Sequence, residues 1–230
     1  MKTIGNQFRN NLGILTETEI IKLHNTNVMI VGLGGLGGHF CNNIVRLGVS
    51  KLTLIDFDKF DESNLNRQLF SNHKNLNQFK VDVLYDELVK IIPDIEITKF
   101  INKIEDIDFT NFKDIEFMID AVDSPKTKVY LANLSAKLNI PLLHGACAGW
   151  YGQVGWITPG NMLLHQVYNN DKVLLEAELL NPSFTPSTIA SIMTSEFVKY
   201  IQKSKETVIN QLLLVDLYNN TMMKTGKNNG

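Results

Sequence analysis

The sequence predicts a doubly wound α/β domain, with a mostly parallel Rossmann-like sheet finished by antiparallel C-terminal strands. Three observations lead to that class. A short apolar run, Val28 to Val31, feeds directly into GLGGLGG and then a helical stretch, the order strand, tight turn, helix. Strand-like and helix-like segments alternate from there to residue 145, the rhythm of parallel strands covered on both faces. Residues 150–158 (WYGQVGWIT) then alternate and read as an antiparallel addition.

The elements follow in order. Thr16 with Glu19 three residues on forms a capping box, opening a helix to about His24. Val28 to Val31 reads as a strand, His39 to Leu47 as a helix and Lys51 to Asp56 as the next strand, one βαβ unit of about thirty residues. Val81 to Ile92 reads as a helix stopped by Pro93, Ile95 to Phe100 as a strand, and Glu116 to Ala121 as a buried strand. Lys126 to Leu138 is a helix and Pro141 to Gly145 a strand. Residues 159–187 hold Pro159, Pro182 and Pro186 without a strong period and read as a long surface loop, which in a compact domain is usually functional or disordered. Thr188 to Lys203 places Ile189, Ile192, Met193, Phe197 and Ile201 on one helical face. Gln211 to Tyr218 is expected to be the last strand, with a frayed tail after it.

Composition narrows the function classes. The chain has 230 residues, 44% hydrophobic and 20% charged, which excludes a fibrous or disordered protein and fits one domain over 1–230, with an N-terminal helical arm (1–26) and a mobile loop (159–187). Net charge is 22 − 24 = −2, against a broad nucleic-acid or polybasic membrane surface. Two cysteines stand far apart with no CxxC, and no run reaches the length of a membrane span. The expectation is a cytoplasmic protein without zinc.

The chemistry-bearing motif is the glycine run. Gly32, Gly34 and Gly37 make a GxGxxG between a strand and a helix, with Gly35 inside the same loop. The first glycine permits a sharp turn, the second lets backbone approach phosphate, the third lets helix pack on sheet, and the helix N-terminus favours negative charge. Asp56, nineteen residues past Gly37, ends the second strand where it can bond ribose hydroxyls. Asp58 is a second acid beside a ribose that needs only one. At this point NAD and ATP both remain open.

The next stretch separates them. VGLGGLGG (31–38), LIDFDKFDESNLNRQ (54–68), Lys80 before the following helix, and DAVDS (120–124) together resemble the ThiF/MoeB/HesA family, bacterial relatives of ubiquitin-activating enzymes, from about Arg9 to Thr225. The resemblance implies an ATP-dependent adenylyltransferase. Asp56 would hold the ribose, Asn64, Arg67 and Lys80 the triphosphate, and Asp123 a Mg²⁺. Arg9 would reach the ATP phosphates of the other subunit across a homodimer, the alternative being a plain exposed arginine. A carrier carboxylate is already ionised at neutral pH, so the chemistry needs charge neutralisation and alignment and no general base. Arg, Lys, Asn and Asp without a catalytic His meet that need.

The implied partner is a small ubiquitin-like sulfur carrier ending in Gly-Gly, with loop 159–187 covering its tail, and the RNNLGIL start resembles the ThiF branch of thiamine synthesis. Cys41 and Cys147 read as buried packing, so the chemistry is expected to stop at the adenylate and a separate sulfur donor to attack it. His144 reads as structural. Trp150, Tyr151 and Trp156 read as sheet packing. Ser124 stands where many relatives carry an amide. Another carboxylate substrate, tRNA-bound or a peptide C-terminus, and a non-catalytic or NAD-dependent nucleotide binder are the rival readings.

Overall fold

The computed structural model describes residues 5–109, 112, 114–168 and 180–225. Among these residues eight strands form one sheet in the order β3-β2-β1-β4-β5-β6-β7-β8. They are β1 (Asn27–Val31), β2 (Lys51–Ile55), β3 (Glu96–Phe100), β4 (Phe117–Asp120), β5 (Leu142–Ala148), β6 (Tyr151–Ile157), β7 (Leu213–Asp216) and β8 (Thr221–Lys224). β1 to β5 pair in parallel, and β6, β7 and β8 add antiparallel. The chain runs outward from β1 through β2 to β3, then crosses to β4 on the other side of β1. That reversal leaves a crevice at the carboxyl ends of β1 and β4, where ligands of open α/β sheets bind.

Among the described residues six α-helices cover the sheet: α1 (Glu17–Asn25), α2 (Gly35–Leu47), α3 (Lys80–Leu88), α4 (Pro125–Leu138), α5 (Leu163–Tyr168) and α6 (Phe184–Ile201). Their ends follow from local chemistry. The Thr16–Glu19 capping box forms in both directions. α2 closes on Gly48 at φ 111°, and α4 opens on Ser124, whose hydroxyl accepts from the Thr127 N–H, followed by Pro125 at the first helical position. One core layer holds Ile30, Leu54, Ile119 and Leu143 from the sheet with Phe40, Met193 and Phe197 of α2 and α6. The other holds Met29, Met118 and Leu142 with Leu131, Leu134, Leu164 and Tyr168 of α4 and α5. Alternate residues of each central strand thus feed opposite layers, as burial on both faces requires.

Four expectations are corrected. The helix expected from His39 begins at Gly35, because the glycines after Gly34 are already helical. The segment 159–187 holds α5 and the first turn of α6, while its residues 169–179 lie outside the described residues. Pro186 occupies the third position of α6, where the backbone N–H has no intrahelical acceptor, so the ring does not interrupt the helix. Gln211 to Tyr218 shrinks to β7 and is not the last strand. Asp216 accepts the N–H groups of Tyr218 and Asn219, Asn220 turns at φ 55°, and β8 pairs back on β7. All four β8 residues are exposed, so TMMK carries no alternation to read. Of the three aromatics expected to pack, only Trp156 is buried. Trp150 and Tyr151 are exposed, with Trp150 against Phe184 and Tyr218.

Among the described glycines the closest approach is at the third of the motif. A Cβ on Gly37 would sit 1.8 Å from the Gly32 carbonyl oxygen, whereas one on Gly38 meets only ordinary contacts at 3.7 Å and 3.8 Å. Gly37→Ala should therefore destabilise by about 1–3 kcal/mol or more through overpacking. Gly38→Ala, one residue on in the same helix, should gain roughly 0.5–1 kcal/mol of helix propensity. Urea midpoints of the two variants check both signs.

Candidate nucleotide site

A cavity of about 810 Å³ opens at the crevice between the carboxyl ends of β1 and β4. Its floor is the β1–α2 turn. Gly32 has φ 86° and its missing Cβ would lie 2.6 Å from the Ala121 carbonyl oxygen, so the β1 and β4 exits touch through backbone alone. Gly34 and Gly35 line the cavity at the start of α2, where main-chain N–H groups lack intrahelical acceptors. Gly37 does not line it and packs the helix as described.

On the β2 side stands Asp56, nearly buried. Its two carboxylate oxygens accept the N–H of Leu33 at 2.6 Å and of Asp58 at 2.8 Å, which ties the glycine turn to the end of β2. Burial pushes the Asp56 carboxyl above the ordinary carboxylate range, opposed by the charge of Lys80 and by the two backbone bonds. Asp58 receives a role that the sequence left open: its carboxylate pairs with Lys80 Nζ at 3.0 Å. Lys80 is buried at the start of α3, so its ammonium is held at the cavity wall by a half-exposed partner.

Arg67 lines the cavity and donates through Nη1 to the Ser63 carbonyl at 2.8 Å and to Asn66 Oδ1 at 2.9 Å. Those bonds use one guanidinium nitrogen and orient the rest. Asp123 is exposed and lines the cavity just past β4. Asn64 is not brought to the cavity. Its carboxamide is spent on a capping box with Asp61, donating to Asp61 Oδ1 at 3.0 Å and accepting the Asp61 N–H. Arg9 sits exposed in a short 3₁₀ turn, Asn6–Asn11, and is not part of the cavity lining.

Several lining residues were not anticipated. Gln68 is buried beside Gly34, and its Oε1 has no hydrogen-bond partner among the described residues. The signal was available, since Gln68 directly follows Arg67. Phe57, with Lys103 Nζ 5.6 Å from its ring centroid, and residues 102–105 after β3 form the outer wall. No sequence pattern marks that wall, which is assembled by strand order. Cys147 is half-buried at the cavity edge and not enclosed as expected, whereas Cys41 is fully buried, with burial pushing its thiol up. Among the described residues no cluster of three or more His, Cys, Asp or Glu could hold a metal by itself. A magnesium ion needs no such cage, because one or two carboxylates together with phosphate oxygens suffice. No helix of the described residues is long and apolar enough to cross a membrane.

A glycine turn at the switch point, a ribose-side acid ending β2, and lysine, arginine and aspartate converging on one cavity define a nucleotide-binding α/β domain. The chain belongs to the ThiF family, whose model matches residues 8–229. It is similar to SUMO-activating enzyme subunit 2 of Dictyostelium discoideum, 26% identical over 148 residues, covering 64% of this chain and 22% of that protein. It is 30% identical over 139 residues to the NEDD8-activating enzyme E1 catalytic subunit of Schizosaccharomyces pombe, covering 58% and 31%. The molybdopterin-synthase adenylyltransferase of Salmonella typhimurium is 28% identical over 201 residues, covering 84% and 80%. The chain thus spans less than a third of the first two relatives and most of the third. Among solved structures, E. coli MccB with succinimide superposes with a TM-score of 0.78 at 18% identity, over 97% of this chain and 71% of that one. PaaA superposes at 0.73 and 18%, over 90% and 75%. Both likenesses show the fold.

Under the cavity, His144 is fully buried, and burial pushes its imidazole below the ordinary histidine range despite the bond to Asp120. His39 is shifted the same way by burial. The unfolded chain therefore binds more protons than the folded one below the unperturbed histidine value. Folding stability should fall as pH drops from about 7 toward 5, with a shallower slope in His144→Asn, read from urea unfolding at each pH.

Proposed function

We propose that this protein is an ATP-dependent adenylyltransferase that activates the C-terminal glycine carboxylate of a small ubiquitin-like sulfur carrier, releasing pyrophosphate. The observation that carries this reading is the convergence of Asp56, Lys80, Arg67 and Asp123 on one cavity floored by the glycine turn, in a chain of the ThiF family. Relatives named for SUMO activation, NEDD8 activation and molybdopterin-synthase adenylylation support it.

Each residue has a physical task. Asp56, its oxygens fixed by two backbone bonds, accepts ribose hydroxyls and sets the nucleoside in place. The amides of Gly34 and Gly35 approach phosphate where a side chain would intrude. Lys80 and Arg67 carry the positive charge that pyrophosphate needs as it departs, and Gln68 offers a carboxamide beside Gly34. Asp123 would hold Mg²⁺, which would supply charge neutralisation to the triphosphate. The attacking carboxylate forms its bond to the α-phosphorus as the bond to pyrophosphate breaks, giving an acyl-adenylate. Catalysis is alignment and charge compensation, so a site without a general base is sufficient.

The finer reading is a ThiS-like carrier of thiamine synthesis, a cytoplasmic homodimer in which Arg9 serves the neighbouring subunit, and a separate sulfur donor. The carrier branch and the Arg9 role rest on the family resemblance of the N-terminal segment, and the compartment and separate donor on the cysteine usage of the sequence. ATP–pyrophosphate exchange tests the core of the proposal. Wild type with a Gly-Gly-tailed carrier should exchange label, and Arg67→Ala should lose at least about 100-fold, the scale for removing a group aimed at developing charge. Exchange with another carboxylate and none with any carrier would move the assignment to that substrate. Failure to bind ATP would overturn it.

A further inference from the structure

Reaching the cavity through Lys128, which lines it, is a chain of buried polar groups to which the proposed chemistry assigns no role. Asp120 at the end of β4, Lys128 on α4 and His144 on β5 are 0%, 1% and 0% exposed. The Asp120 carboxylate gathers donors from three directions. His144 Nδ1 lies 2.6 Å from Oδ2, the Val122 N–H donates to Oδ1 at 3.2 Å, and Lys128 Nζ reaches both oxygens at 3.3 Å and 3.4 Å while also donating to the Gly145 carbonyl at 3.0 Å. A carboxylate only accepts, so Nδ1 carries the proton and Nε2 is the acceptor. Gln153 Nε2 at 3.2 Å and the Tyr168 hydroxyl at 3.3 Å stand at that acceptor, and Gln153 also donates to the Tyr168 oxygen. The imidazole is thus locked from behind by β6 and α5 and presents one N–H forward. Val122, the residue that Asp120 holds, immediately precedes Asp123.

We infer that His144 is a positioning residue for the 121–124 turn, fixing through Asp120 the backbone that presents Asp123 to a divalent cation. The inference rests on the proposed metal role of Asp123. Lys128 alone already compensates the charge of Asp120, so charge balance does not require His144. What His144 adds is direction. It fixes one carboxylate oxygen so that the other faces the Val122 N–H, where an aspartate bonded to Lys128 alone would be free to turn away. Outer-shell partners of this kind commonly change metal affinity by about 10–100-fold when removed.

The test uses Mn²⁺ as a paramagnetic probe with α,β-methylene-ATP, which is not cleaved. Electron paramagnetic resonance counts free Mn²⁺, and nucleotide binding in EDTA is measured separately. His144→Leu should weaken Mn²⁺ binding to the protein–nucleotide complex about tenfold while leaving nucleotide affinity in EDTA unchanged. His144→Asn, whose Nδ2 overlies the lost Nδ1, should restore it. Unchanged Mn²⁺ affinity in His144→Leu, or equal loss of metal and nucleotide in that variant, overturns the inference. So does failure of Asn to rescue. Should the leucine variant not fold, His144→Gln fills the volume with its amide on the Nε2 side and must show the same selective metal loss. A wild type whose nucleotide binding ignores Mn²⁺ would instead remove the metal role of Asp123, a result separable from any variant.

Discussion

The structure depends on two backbones meeting where no side chain fits. Gly32 leaves β1 against the Ala121 carbonyl, and Gly37 brings α2 down onto the Gly32 carbonyl, so β1, α2 and the exit of β4 share one point. Everything at the cavity is hung from that point. Asp56 bonds the residue after Gly32, Asp123 lies two residues beyond Ala121, and the Gly35 backbone lies against the first turn of α6 at Pro186. A side chain at either glycine would separate the nucleoside side of the crevice from its phosphate side.

Around that point the charges divide into two groups. Asp56 and Asp58, just past β2, stand with Lys80 at the start of α3, and Asp120 at the end of β4 stands with Lys128 of α4 and His144 of β5. In the first a buried lysine is paired with a half-exposed carboxylate, and in the second a buried lysine with a buried carboxylate, before any ligand arrives. In the second, burial pushes Asp120 up, but Lys128 and His144 outweigh it and hold the carboxyl below its usual range. Such pairs add little net stability once desolvation is counted. Their value is fixed geometry: the ligand meets charges that need not reorganise, the condition under which electrostatic catalysis is effective.

Much of this was readable from the residues. The βαβ unit, the parallel middle and the antiparallel end follow from apolar runs and turn chemistry, because strands buried on both faces and glycine turns write themselves locally. Asp56 ends a readable strand, while Lys80, Arg67 and Asp123 were expected from the family resemblance, and all four line the cavity. What escaped depends on tertiary partners. Asn64 is spent on its own turn, a choice set by Asp61. The wall at Phe57 and Lys103 exists only because β3 lies beside β2, and the Asp120–Lys128–His144 contact joins three elements whose sequence spacing is arbitrary. β8 escaped because an edge strand exposed on both faces needs no apolar pattern.

Both outer strands, β3 and β8, are largely exposed, while β1 and β4 are buried along almost their whole length. Opening fluctuations begin where backbone hydrogen bonds face solvent and few apolar contacts resist them. The β7–β8 hairpin can therefore fray and re-form at little free-energy cost, while the pair of strands carrying the glycine turn and the 121–124 turn opens only with the whole domain. The molecule keeps its least labile backbone under the nucleotide and leaves its softest at the far rim of the sheet.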